Sequence, residues 1–232
     1  CTVKATNKSN RNLVINGAML IDQRKNGASS DSTGATYLSC DRFKTVYAAA
    51  SKYTFQQVAS TLSGFPKALK VTSAAATTAS SSQHYVMEYN FEGYDVAPLA
   101  LGTSAAKTFT LSFYVKSSLT GNFSVSFNNG ADNRTYATTY NIASAATWER
   151  KTITVAGDTT GTWTTDNTEG LAIKWDLGSG SNFDVTANTW SAVDKFKVAG
   201  SVALIATSGA TLEITGVQLE VGDVATDFEH RS

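Results

Sequence analysis

The chain has 232 residues, 42% of them apolar and only 16% charged, and its nineteen basic side chains are balanced by nineteen acidic ones. A neutral balance with no basic face or stripe argues against nucleic-acid binding, and no apolar run approaches the ~20 residues of a membrane-spanning helix. The charged share lies well below the usual figure of about 25%, and Ser, Thr, Ala, Gly and Asn fill the gap. That mixture disfavours long solvated helices and favours strands with hydroxyl-bearing outer faces.

No signal-peptide pattern opens the chain, and Cys1 in place of Met reads as a processed end or a fragment boundary. With only Cys1 and Cys40, no disulfide framework is indicated. Residues 1–10 are expected to form an extended lead-in. Strand candidates then follow in order: "NLVINGAML", "DRFKTVYAA", "YTFQQVA" and "ALKVTS". The low-complexity "SAAATTASSS" reads as a loop, because strands flank it closely. "HYVMEYNF" places Tyr85, Met87, Tyr89 and Phe91 on one face. "YDVAPLALGTSAAKT" holds one helical turn, bracketed by Pro98 and Gly102.

"FTLSFYVKSS" and "FSVSF" alternate apolar and polar residues on either side of the Gly-Asn of "LTGN", which predicts a β-hairpin. Further strands are expected at "RTYATTYNI", "ERKTITVA", "LAIKWDL" and "VALIAT", with Leu171, Ile173, Trp175 and Leu177 inward. The last candidate changes phase. Leu212 and Ile214 alternate on one parity, Gly216 intervenes, and Val217, Leu219 and Val221 resume on the other. A one-residue slip reverses every facing, so Gly216 marks either a β-bulge or the meeting of two short strands. A bulge would let one long strand bend from one sheet toward the other. About a dozen short strands and no amphipathic helix predict an all-β fold. With no linker dividing it, that fold is a single sandwich of antiparallel strands over residues 1–232.

Nothing in the pattern supports catalysis, and the chain is expected not to be an enzyme. His84 and His230 show no nucleophile partner. No Gly-x-Ser-x-Gly elbow, phosphate loop or dinucleotide fingerprint occurs, and Cys and His are too few for zinc. Most acids sit beside Asn, Gly or Thr in loops, where turn chemistry accounts for them.

The tryptophans are the best recognition candidates, since sugars stack apolar C–H faces on aromatic rings. Trp163 in "GTWTTDN" and Trp190 in "ANTWSA" lie in polar segments with no evident strand partner. They read either as a ligand platform or as a lid closing one end of the sandwich. Tyr136 and Tyr140, on a strand whose other face is Thr and Ala, share that ambiguity. Trp148 and Trp175 fit strand patterns and are expected in the core. "DLGSGSNFD" offers Asp176 and Asp184 as weak Ca²⁺ donors, but it lacks the density of acids and the terminal bidentate Glu of a helix-loop-helix site. A Gly-rich turn is the simpler reading, and no cofactor is expected.

Several segments, in order, resemble the β-jelly-roll carbohydrate-binding modules of the galactose-binding-like fold: "NLVINGAM", "FPKALKVTS", "TFTLSFYVKSS", "TWERKTITVAG" and "LEITGVQLEVG". A tighter similarity, over residues 12–232, is to virion and tail-fibre proteins of aquatic bacteriophages, carried by "DRF", "GDTTGTW", "DLGSGSNF" and "ITGVQLEVG…ATDFEHRS". The resemblance implies a jelly roll located on a virion, in a tail fibre or appendage, with a host-glycan recognition role. It implies other virion proteins as partners, self-association as a homotrimer, and a cell-surface glycan as ligand. The alternative is a capsid-decoration, cement or fibre-stem protein without a host ligand. Sugar-binding modules often carry an acidic pair in the last strand for a structural Ca²⁺. Here that position reads Thr215-Gly216, so the calcium site does not carry over.

Overall fold

The computed structural model describes residues 11–31, 37 and 39–231. The expected lead-in over residues 1–10, and Cys1 with it, lies outside the described residues. The strands are β1 (Ser30–Asp31), β2 (Phe43–Tyr47), β3 (Tyr53–Ala59), β4 (Lys67–Ser73), β5 (Tyr85–Glu92), β6 (Phe109–Ser117), β7 (Gly121–Asn129), β8 (Thr135–Ile142), β9 (Glu149–Val155), β10 (Glu169–Asp176), β11 (Trp190–Ser191) and β12 (Thr211–Val221). They form two six-stranded sheets, ordered β1-β3-β4-β12-β6-β9 and β11-β8-β7-β10-β5-β2. Every pairing between these strands is antiparallel. The fold is a β-sandwich jelly roll. The expected helical turn is α1 (Gly93–Val96), followed by a 3-10 turn over Ala97–Leu99.

Alternation determines what lies between the sheets. Tyr85, Met87, Tyr89 and Phe91 of β5, Phe109, Leu111, Phe113 and Val115 of β6, and Leu171, Ile173 and Trp175 of β10 join one continuous buried cluster. Trp175 is fully buried and meets Phe113 edge-on at 5.9 Å. Trp148 departs from expectation. It is half-buried on the rim beside β9, donating to Thr61 at 3.2 Å under the ammonium of Lys116. Cys40 is buried, and its thiol is pushed up to about 12, first by burial and then by Asp22.

Three local expectations fail for physical reasons. β6 and β7 are not a hairpin: β6 pairs with β12 and β9, whereas β7 pairs with β8 and β10 in the opposite sheet. The link between them is an arch that sets the two apolar faces against each other across the core, with Phe109 meeting Phe127 at 5.2 Å. Alternation with a short Gly turn is common to both geometries. "VALIAT" is no strand but contains the 3-10 turn Leu204–Ala206. "NLVINGAML" is irregular backbone laid beside β12, with Leu13 N–H donating to Leu219 O at 2.8 Å and Val217 N–H to Gly17 O at 2.9 Å. A Cβ on Gly17 would stand 2.0 Å from Val217 O, so glycine is required for that approach.

The phase change in β12 is a bulge. Its register against β6 shifts between Thr215 and Gln218, and Gly216 has φ +60°. The strand nevertheless stays in its own sheet and does not bend toward the other. What changes at the bulge is its second neighbour, from β4 along Thr211–Ile214 to residues 12–17 beyond. The segment "ATDFEHR", residues 225–231, then folds back over the outer face. Gln218 accepts from Glu229 N–H at 2.8 Å and Glu220 from Thr226 N–H at 2.8 Å, while Arg231 pairs with Asp95 at 3.1 Å. Gly216→Ala would put a Cβ 2.9 Å from the Phe65 and Tyr114 rings in left-handed backbone. We expect a loss of about 2 kcal/mol in urea denaturation with an unchanged secondary-structure spectrum.

Candidate functional site

The outer face of the second sheet is only half covered. Residues 181–202 cross its β7-β8 side and are held by main-chain and hydroxyl contacts. Asn128 donates to Lys195 O at 3.0 Å, Thr135 bonds Val193 O and Lys195 O at 2.9 and 2.8 Å, and Ser124 accepts from Val198 N–H at 2.9 Å. The β10-β5-β2 side stays open as a groove of about 350 Å³. Registers place Lys44, Glu88 and Lys174 in one row across those three strands, and Val46 opposite Val86. One wall is aromatic: Phe183 stacks on Phe196 at 4.6 Å, and His84 meets Phe183 edge-on at 5.3 Å.

The polar groups in the groove are held firmly. Lys44 pairs with Glu88 at 3.0 Å; Lys174 pairs with Asp132 at 2.6 Å and lies over the Phe196 ring at 5.7 Å. Asp132 is presented by the β7–β8 turn, which Asn129 organises by accepting from the N–H groups of Asn133 and Arg134 at 2.9 and 3.0 Å. Gly130 is obligatory there, because a Cβ would lie 1.8 Å from Glu169 O. Glu169, at the start of β10, accepts a hydrogen bond from Asn90. Burial, reinforced by Glu88, raises the Glu169 carboxyl above its ordinary value; burial and Asp132 raise Asp194. Burial and the nearby Lys174 lower His84. Burial works against the Lys44 charge, but Glu88 outweighs it and holds Lys44 above the ordinary value.

Three of the four aromatic candidates come together elsewhere. Tyr136 meets Trp190 at 5.4 Å, and Trp190 meets Trp163 edge-on at 5.5 Å. Trp190 donates its indole N–H to Ala156 O at 2.8 Å, joining the edge of the second sheet to the segment just after β9, the edge of the first. Trp163 donates to Thr160 O at 3.2 Å. Each ring is half-buried, each indole N–H is spent on the chain's own carbonyl, and the rings touch one another. That geometry closes the side of the sandwich. Tyr140 is a correction: at 5% exposure it lies in the core against Phe113 and Phe123, out of reach of a surface ligand.

Asp176 and Asp184, the weak Ca²⁺ donors of the sequence, each have a partner within the chain. Asp176 is buried and accepts the Ser179 N–H at 2.9 Å, which caps the Gly-rich turn. Asp184 is engaged by Lys197. Neither belongs to any group of three His, Cys, Asp or Glu side chains placed to hold an ion among the described residues. These donors do not fit Ca²⁺, which wants six to eight oxygens.

Sequence reasoning missed the groove. The available signal was charge at outward strand positions, the Lys of "FKTVY", the Glu of "VMEY" and the Lys of "AIKWD". Their adjacency depends on which strands become neighbours, and a single strand does not encode that.

No protein-family model matches the sequence, and no protein of curated function matches it. Among solved structures, the chain is similar to a putative sugar-binding protein of Bacteroides thetaiotaomicron, with 12% identity, coverage of 91% of this chain and 100% of that one, and a TM-score of 0.49. It is also similar to the enzymatically active domain of bacteriophage CBA120 tailspike protein 4, with 14% identity and a TM-score of 0.46. That match covers 91% of this chain but 22% of the other, so this chain spans about a fifth of the tailspike domain's length. A third similarity is to the family 11 carbohydrate-binding module of Clostridium thermocellum in complex with a mixed-linked tetrasaccharide, with 11% identity, coverage of 85% and 98%, and a TM-score of 0.40.

Proposed function

We propose that the chain is a non-catalytic glycan-recognition module of a phage virion appendage, and that it takes its saccharide in the groove over β2, β5 and β10. One observation carries this reading: the groove combines a half-buried apolar floor and wall, Val46 and the Phe183 ring, with side-chain hydrogen-bonding groups already locked in ion pairs. Saccharides need both, an apolar surface for their C–H faces and fixed polar groups for their hydroxyls. Pre-paired groups lose little freedom on binding. The virion setting and the homotrimer rest on the resemblance of "GDTTGTW", "DLGSGSNF" and "ATDFEHRS" to phage proteins. Weak single sites suit such a particle, because repetition raises avidity by about 10²–10⁴.

A glycan array probed with a multimerised form of the chain tests the site. Val46 lies half-buried on edge strand β2, so Val46→Arg fills the groove without disturbing the core. Binding should be lost in that variant and retained in Trp163→Ala and Trp190→Ala. The opposite pattern would move the site to the aromatic cluster, and an empty array would remove the reading altogether. Mass spectrometry of dissected virions should find the chain with fibres; finding it with the shell would favour decoration or cement.

A further inference from the structure

The groove is unevenly charged. Its lining holds the carboxylates of Glu88, Asp132, Glu169 and Asp194 but only two ammonium groups, those of Lys44 and Lys174. Glu88 and Asp132 engage both of these. Two carboxylates, Glu169 and Asp194, therefore remain without a lysine of their own within the lining. Glu169 takes a hydrogen bond from Asn90, whose own Oδ1 is buried and accepts none in the structure, so acceptors also exceed donors here. His84, held below its ordinary value against Phe183, adds no cation at neutral pH.

We propose that the groove selects saccharides bearing a free, protonated amine, of the glucosamine type, and rejects uronates and sialates, with Glu169 and Asp194 as the carboxylates that meet the ammonium. The inference rests on the groove being the saccharide site proposed above. An ammonium is matched by the surplus carboxylates of the lining, whereas a sugar carboxylate would meet uncompensated negative charge. The pH dependence has a definite sign. Burial and neighbouring carboxylates raise both Glu169 and Asp194, so a bound cation favours their ionised forms and releases protons. Affinity for the amino sugar then rises as pH climbs through the carboxylate range, and falls again when the sugar amine deprotonates.

Calorimetric titration of the whole chain with fully deacetylated chitosan oligomers, their N-acetylated counterparts and oligogalacturonate tests this. The deacetylated oligomer should bind on the order of tenfold tighter than the acetylated one, and oligogalacturonate weakest. Asp194→Asn and Glu169→Gln should each shrink that preference, read as the ratio of the affinities for the deacetylated and acetylated oligomers. Equal affinity for charged and neutral oligomers, or a preference that survives both substitutions, overturns charge selection but leaves the groove reading standing. Trilysine binding in place of any oligomer overturns the saccharide class. No binding by any sugar here or on the array removes the groove reading and this inference together.

Discussion

Replacing Arg134 with Ala should cost the fold about 3–5 kcal/mol, the range for removing one partner of a buried ion pair. Arg134 holds Asp158 through two bonds, Nε at 2.6 Å and a terminal nitrogen at 2.8 Å, and the side chain of Asp158 is only 3% exposed. Alanine would leave that carboxylate desolvated with no cation. It would also release the segment that carries Trp163, since Gly161 packs directly on the Arg134 stem and Asp158 O accepts from Gly102 N–H at 2.7 Å. Burial pushes the Asp158 carboxyl up, but Arg134 and the hydrogen bonds from Thr160 outweigh it and hold the group below its ordinary value. A carboxyl with a lowered folded-state pKa contributes stability above its unfolded value and loses it as pH falls through the folded one. The deficit of the variant, read from urea midpoints, should therefore be largest near pH 7 and shrink in acid. Arg134→Lys should fall between, because an ammonium does not reproduce the bidentate fork. A deficit under 1 kcal/mol at pH 7 would show that the pair is not holding this seam.

Asp176→Asn should stabilise the protein, by up to about 3 kcal/mol at neutral pH. Burial raises the Asp176 carboxyl to about 6, against the hydrogen bonds of Ser179, which lower it. That lies about two pH units above an unfolded aspartate, each unit being worth about 1.4 kcal/mol. For a carboxyl raised on folding, the native state binds its proton more tightly than the unfolded state does. Wild-type stability should then be fully present below about pH 4 and decline as pH rises toward 6. Asparagine keeps the acceptor for Ser179 N–H and removes the ionisation. The two proteins should be equally stable in acid and diverge from pH 4 upward. Parallel stability curves across that range would contradict the account.

These sites differ in how visible they were beforehand. The turn-capping Asp in "DLGSGSNF" and the bulge glycine of "ITGVQ" are local: each depends on backbone geometry within a few residues, and chain order displays that. Arg134 and Asp158 are 24 positions apart, and neither motif announces the other. The aromatic trio was legible as a set of residue types but not as a set of contacts. Trp163 and Trp190 met because β11 is an edge strand and the segment after β9 closes over it. Tyr140 was misassigned because alternation along β8 reports two faces without saying which of them is buried.

By itself the sequence determined the extended backbone, the inward and outward alternation, the change of phase at Gly216 and hence a two-layer all-β sandwich. Those features follow from side-chain periodicity and single-residue conformational preference, which act over a turn or a strand. Tertiary structure alone decided that β6 and β7 part into opposite sheets, that residues 12–17 replace β4 beside the end of β12, and that Lys44, Glu88 and Lys174 share one groove. Strand pairing is made by main-chain N–H and C=O groups that are alike at every residue. The choice of neighbour is therefore made by how whole apolar faces close over a common core, and the functional face is a consequence of that closure.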